Sequence, residues 1–102
     1  MRYNKLIRDK IPEIIKQKGK IPIIHSADED EYWKKLKEKL LEEVNEYLEN
    51  PIKEELADIL EVIETICEFK KIDKKELESI KKKKAEERGG FKDKIILDEV
   101  KE

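Results

Sequence analysis

Four acidic side chains in the middle of the chain have the residue types and spacing of a cation site. They are Glu43 and Glu46 in one apolar-periodic stretch and Glu55 and Asp58 in the next. Each pair has i, i+3 spacing, and the two pairs are mirror images in number about Asn50-Pro51. Folding the chain back at that break brings Glu46 level with Glu55 and Glu43 level with Asp58, a square of carboxylates. At about 100° per residue, Trp33, Leu36, Leu40, Val44 and Tyr47 fill one sector of the first stretch, widened by Leu41 and Leu48. Glu43 shares that apolar face and Glu46 lies one step outside it, whereas Glu38, Glu42 and Glu49 point to the opposite side. On the second stretch, Glu55 falls between the directions of Val62 and Ile66, and Asp58 beside that of Phe69.

An ionised carboxylate on a core-facing surface is unfavourable unless it is paired, hydrogen-bonded or metal-bound. Neutralisation by lysine or arginine is one solution in a chain this rich in lysine. Neither helix, however, is expected to place a base inside its apolar sector close to the acids. Crowded carboxylates raise one another's pKa when empty, and a divalent cation reverses that. All-oxygen ligands suit Mg²⁺, with Mn²⁺ as a substitute, better than zinc or copper.

The elements that must hold this square follow from the pattern. Asn50 is expected to cap the second helix, with Pro51 in its first turn. The first helix opens at a capping box, Ser26-Ala27-Asp28-Glu29, and runs to about Glu49; the second runs from Pro51 to about Phe69. The second has an apolar sector covering well over half its circumference, which one chain of 102 residues hardly covers, so a second subunit is expected. Asp73 is expected to cap a further helix with Leu77, Ile80 and Ala85 inward.

Ahead of these, residues 1–8 read as an extended or irregular arm. It leads to a short helix capped by Asp9, with Pro12 in its first turn and Gly19 at its end. Arg8 and Lys10 then lie near a helix N-terminus, where a phosphate clamp and two solvated bases are equally good readings. Lys20 to His25, interrupted by Pro22, fits an edge strand or extended linker, and Lys94 to Leu97 a short strand that could lie beside Ile21 to Ile24. The fold class expected is therefore all-α: a helical-hairpin bundle in a single domain, residues 1–102, with at most two short peripheral strands, completed by oligomerisation.

Composition narrows the function classes. Charged residues make up 49% of the chain, but 26 acids and 24 bases leave a net charge of −2, which attracts neither nucleic acid nor anionic membrane. The lysine run Lys81 to Lys84 lacks interleaved aromatics and reads as a solvated helix face. After Arg88, Gly89-Gly90 can stop a helix, the stronger reading, or let bare backbone approach a ligand. His25 is the lone histidine, which removes zinc-protease motifs and Ser/His or Cys/His couples. Cys67 is also alone, so no internal disulfide forms; it falls on the apolar sector as a core thiol, and a reducing cytoplasm is the expected setting. No apolar run is long enough to span a bilayer, and Met1 opens no signal-peptide pattern.

Taken together, Glu42-Glu43-x-x-Glu46 and Glu55-x-x-Asp58 resemble the metal-binding signature of the MazG-like all-α NTP pyrophosphohydrolases. The opening Tyr3-Asn4-Lys5-Leu6-Ile7-Arg8-Asp9-Lys10-Ile11-Pro12 and Lys84-Ala85-Glu86-Glu87-Arg88-Gly89-Gly90-Phe91 resemble its house-cleaning branch, related to phosphoribosyl-ATP pyrophosphohydrolase. The resemblance implies a homodimer or homotetramer and Mg²⁺-dependent cleavage of a non-canonical nucleoside triphosphate to the monophosphate and pyrophosphate. By motif position it implies Glu43, Glu46, Glu55 and Asp58 as metal ligands. Lys5, Arg8, Lys10 and Arg88 are the implied phosphate contacts, with Lys84 ranked below them. Glu46, at the edge of its sector, is the candidate to orient or deprotonate the attacking water. The short spacer between Glu46 and Glu55 departs from the superfamily and removes a loop with which relatives could read the base. The other classes left open are a nucleotide-binding regulator without turnover and a helical interaction module whose acids are paired with lysines.

Overall fold

The structure is a computed structural model describing residues 2–102; Met1 lies outside the described residues. It is all-helical, with α1 (Ile11–Gln17), α2 (Glu29–Glu49), α3 (Lys53–Lys70) and α4 (Lys74–Arg88). Contacts divide the chain into two compact units, Met1–Ile66 and Cys67–Glu102, with the boundary inside α3.

In the first unit, residues 2–8 form the irregular arm expected of them. Lys35 Nζ donates to the Asn4 carbonyl at 2.7 Å, anchoring the arm on α2. The α1 helix starts differently from the expectation. Lys10, not Asp9, is its N-cap, and no side chain caps it; Pro12 sits in the first turn as expected, with no N–H to leave unpaired. Its end closes as a Schellman motif: Gly19 takes φ +78°, its N–H donates to the Lys16 carbonyl at 2.9 Å, and the Lys20 N–H reaches the Ile15 carbonyl at 3.2 Å.

The start of α2 moves two residues from the Ser26 box. Asp28 is the N-cap, and its carboxylate accepts from the Glu31 N–H at 2.9 Å. An ionised acceptor bonds the helix N-terminus more strongly than a hydroxyl, so the later acid wins over the earlier serine. At the other end Asn50 closes α2, its N–H bonding the Glu46 carbonyl at 2.9 Å. Pro51 precedes α3 instead of entering its first turn, and the Ile52 carbonyl accepts the first helical bond, from Glu55, at 3.1 Å. The connection is only Asn50-Pro51-Ile52. Leu36 is 1% exposed and Val62 7%, and Glu43 is buried as deeply as Val62, at 7%. The phase that set Glu43 on the apolar face is therefore the phase the chain adopts.

No described residue is in a β-strand. Ile21 and Ile23 stand open in the 20–25 segment, and Ile95, Ile96 and Leu97 are likewise exposed. Proline deprives the first segment of a ladder donor, and neither segment adopts strand pairing. In the second unit, Cys67 is buried as expected and Asp73 caps α4, accepting from the Lys75 N–H at 2.9 Å. Gly89 ends α4 at φ +80°. The expectation that Leu77, Ile80 and Ala85 point inward is not met, for all three are exposed and α4 buries no residue. Three apolar positions among fifteen make too thin a stripe to anchor a helix otherwise charged on every side.

Candidate divalent-cation site

The short α2–α3 connection returns the chain so that the acids of the two helices meet. One carboxylate oxygen each from Glu43, Glu55 and Asp58 lie within 4.8 Å of one another. Glu43 comes from the buried face of α2; Glu55 and Asp58, one turn apart on α3, are half-buried. Glu46, the fourth member of the expected square, is exposed and outside this group of three. Its direction one step beyond the apolar sector turns it to solvent, yet its charge still reaches Glu43.

The electrostatics of the group are unbalanced. Burial pushes the Glu43 carboxyl above its usual range; Lys39 works against that shift and the neighbouring Glu46 adds to it. Glu43 Oε2 and Glu55 Oε2 are both buried without a hydrogen-bond partner. A buried acceptor left unpaired is destabilising by roughly 1–3 kcal/mol, more when charged, so each is a ready ligand atom. Carboxylate oxygens at this separation are a donor set for a hard divalent cation. The residues fit Mg²⁺ or Mn²⁺ on that ground.

Bases do approach the acids, contrary to expectation. Lys39 Nζ lies 3.3 Å from Glu43 Oε1 and 2.8 Å from Glu42 Oε2, and Arg8 Nη2 donates to Asp58 Oδ1 at 2.7 Å. Glu42, expected on the far polar side, is half-buried and also receives Lys5 Nζ at 2.9 Å. Burial works to raise the Glu42 pKa, but hydrogen bonds from Lys39 and Lys5 outweigh it and hold the carboxyl below its ordinary value. Burial likewise works to lower the Lys39 pKa, and Glu42 and Glu43 together raise it. The signal for Lys39 was present in the sequence as i, i+3 and i, i+4 spacing to Glu42 and Glu43. The signal for Arg8 was not, because its partner is 50 positions away.

Lys5, Ile7, Arg8, Ile11, Lys39, Glu43 and Asp58 line a cavity of about 280 Å³ at this junction of arm and hairpin. Three of the expected phosphate contacts, Lys5, Arg8 and Lys10, belong to the same compact unit as the acids, and two of them line that cavity. Arg88 and Lys84 belong to the second unit, at the end of α4.

Over 41 residues, 40% of its length, the chain is 51% identical to an uncharacterised protein of Mycolicibacterium smegmatis; the match spans 42% of that relative's length. No protein-family model matches the chain. No solved structure matches it.

Proposed function

We propose that this chain is a Mg²⁺-dependent nucleoside triphosphate pyrophosphohydrolase of the MazG-like kind, cleaving a non-canonical nucleotide to nucleoside monophosphate and pyrophosphate. The observation that carries the reading is the convergence of Glu43, Glu55 and Asp58 within 4.8 Å, with two buried carboxylate oxygens unpartnered. Those three residues would hold the cation, and Glu46 would join or flank them. When bound, Mg²⁺ supplies Lewis-acid compensation of the charge that builds on the phosphoanhydride. The chain's own bases do the rest of the binding: Lys5, Arg8 and Lys10 on or beside the arm, in the same compact unit as the acids, engage the phosphates. Glu46, exposed and adjacent to Glu43, orients a water or accepts its proton, and no histidine is needed for that step.

The setting is the cytoplasm, where the unpaired thiol of Cys67 stays reduced. No helix among the described residues is long and apolar enough to cross a membrane. A second copy of the chain completes the core, since Leu41, Leu48, Leu56 and Leu60 on the hairpin are exposed at 62%, 70%, 44% and 65%.

The ion pairs Arg8–Asp58 and Lys39–Glu43 favour one other reading, a helical interaction module whose acids are internally compensated. A panel of canonical and non-canonical triphosphates with Mg²⁺, assayed separately for pyrophosphate, monophosphate and orthophosphate, decides between them. The enzyme reading expects equimolar pyrophosphate and monophosphate from at least one nucleotide. Absence of turnover across the panel removes the enzyme reading, and a melting temperature that Mg²⁺ leaves unchanged then favours the module.

A further inference from the structure

Asp58 is the one member of the acid group held by a base from outside the helical hairpin. Arg8 Nη2 sits 2.7 Å from its Oδ1, while the Arg8 side chain is 57% exposed and its backbone is in an irregular segment. A guanidinium so placed is poised to leave, because an exposed ion pair holds weakly. The compensation it offers is also incomplete: Lys39 is shared between Glu42 and Glu43, and the inner oxygens of Glu43 and Glu55 remain without partners. Glu43 is more than nine-tenths buried, and its orphaned oxygen belongs to a carboxyl of the very group that Asp58 completes. Two groups therefore compete for one carboxylate, a divalent cation drawn by the whole group and the exposed guanidinium of Arg8.

We infer that Arg8 is an internal stand-in for the cation: it caps Asp58 in the metal-free protein, and a divalent cation displaces it, releasing the guanidinium into the adjoining cavity for an anionic ligand. The inference rests on the cation-dependent reading above. It adds an order of events, in which cation binding precedes full engagement of the phosphates and Arg8 acts as a positioning residue coupling the two. The cavity of about 280 Å³ at this junction is lined by Arg8 and Asp58 alike, so a guanidinium that leaves Asp58 stays at its wall. Once a divalent charge sits among the acids, Asp58 no longer needs Arg8, and the base is worth more to a phosphate.

The test is a Mg²⁺ titration of the metal-free wild type, Arg8→Gln and Arg8→Lys proteins by calorimetry, with the wild-type Arg8 Nε–H resonance followed by ¹H–¹⁵N spectroscopy. Displacement predicts a saturable shift of that resonance toward a freely solvated guanidinium. It also predicts Mg²⁺ affinity about two- to fivefold tighter in Arg8→Gln, the value of an exposed ion pair that no longer competes, with Arg8→Lys between. Equal affinity in all three proteins, or tighter binding with an unmoved Arg8 resonance, overturns the displacement and leaves the cation site standing. Binding by none of them overturns both.

Discussion

At the residue scale, Glu43 is the side chain on which structure and chemistry pull in opposite directions. Its carboxyl is buried, its pKa is raised by that burial, and one of its oxygens is orphaned. A carboxyl whose folded pKa lies above its unfolded value weakens the fold at neutral pH. It returns that stability as pH falls through the raised value toward the ordinary one. Glu43→Gln is therefore expected to stabilise the metal-free protein by about 1 kcal/mol in urea denaturation at neutral pH, while abolishing any stabilisation by Mg²⁺. Glu42 has the opposite sign: its depressed pKa contributes stability above the ordinary carboxylate value that is lost as pH falls through the lower one. Urea midpoints followed from neutral to acidic pH should show Glu43→Gln more acid-sensitive than wild type and Glu42→Gln less so. The burial of Glu43 was legible from helical periodicity alone, since its angular position fell inside the apolar sector. The bases beside the acids were overlooked for two different reasons: Lys39 is helical spacing left unused, and Arg8 is a tertiary pairing that periodicity does not encode.

At the scale of elements, caps are the most local part of the fold and the best test of how it is punctuated. Asp28→Ala should destabilise by about 1 kcal/mol, whereas Ser26→Ala should fall within a few tenths of zero, because only Asp28 accepts from the helix N-terminus. Equal effects in thermal melts would return the cap to Ser26. Leu36, 1% exposed, is the deepest apolar anchor of α2, and Leu36→Ala should remove roughly 2–5 kcal/mol. That is a large share of the about 5–15 kcal/mol a domain has. The helices themselves were legible because long periodic stretches are short-range signals; the caps were less so, since Asp9 and Ser26 gave way to Lys10 and Asp28 while Asp73 held. The segment at 20–25, read as an edge strand or an extended linker, is a linker; the strand expected at 94–97 does not form, since β-branched runs specify a strand only when a partner edge is present. The α4 stripe failed for a related reason: a helical period says which residues share a face, and only packing says whether that face is covered.

At the scale of the whole molecule, the balance of exposed to buried apolar surface points beyond one chain. Among the hydrophobic residues, Leu36, Val62 and Cys67 are the buried ones in the described chain, whereas Leu48 and Leu60 stand largely open. Such exposed surface on the hairpin is what supports the proposed association with a second copy. Sedimentation is expected to show a dimer or tetramer, and Leu48→Glu with Leu60→Glu is expected to shift it to monomer. A wild-type monomer at micromolar concentration would contradict that expectation. We propose that Glu43, Glu55 and Asp58 together seat a divalent cation. The decisive measurement is anomalous scattering from crystals of the protein grown with Mn²⁺. A single strong peak among the three carboxylates, with Arg8 moved off Asp58, is the result expected; no peak there, with Arg8 and Lys39 still bridging the acids, would show that the group is a salt-bridged junction and not a metal site.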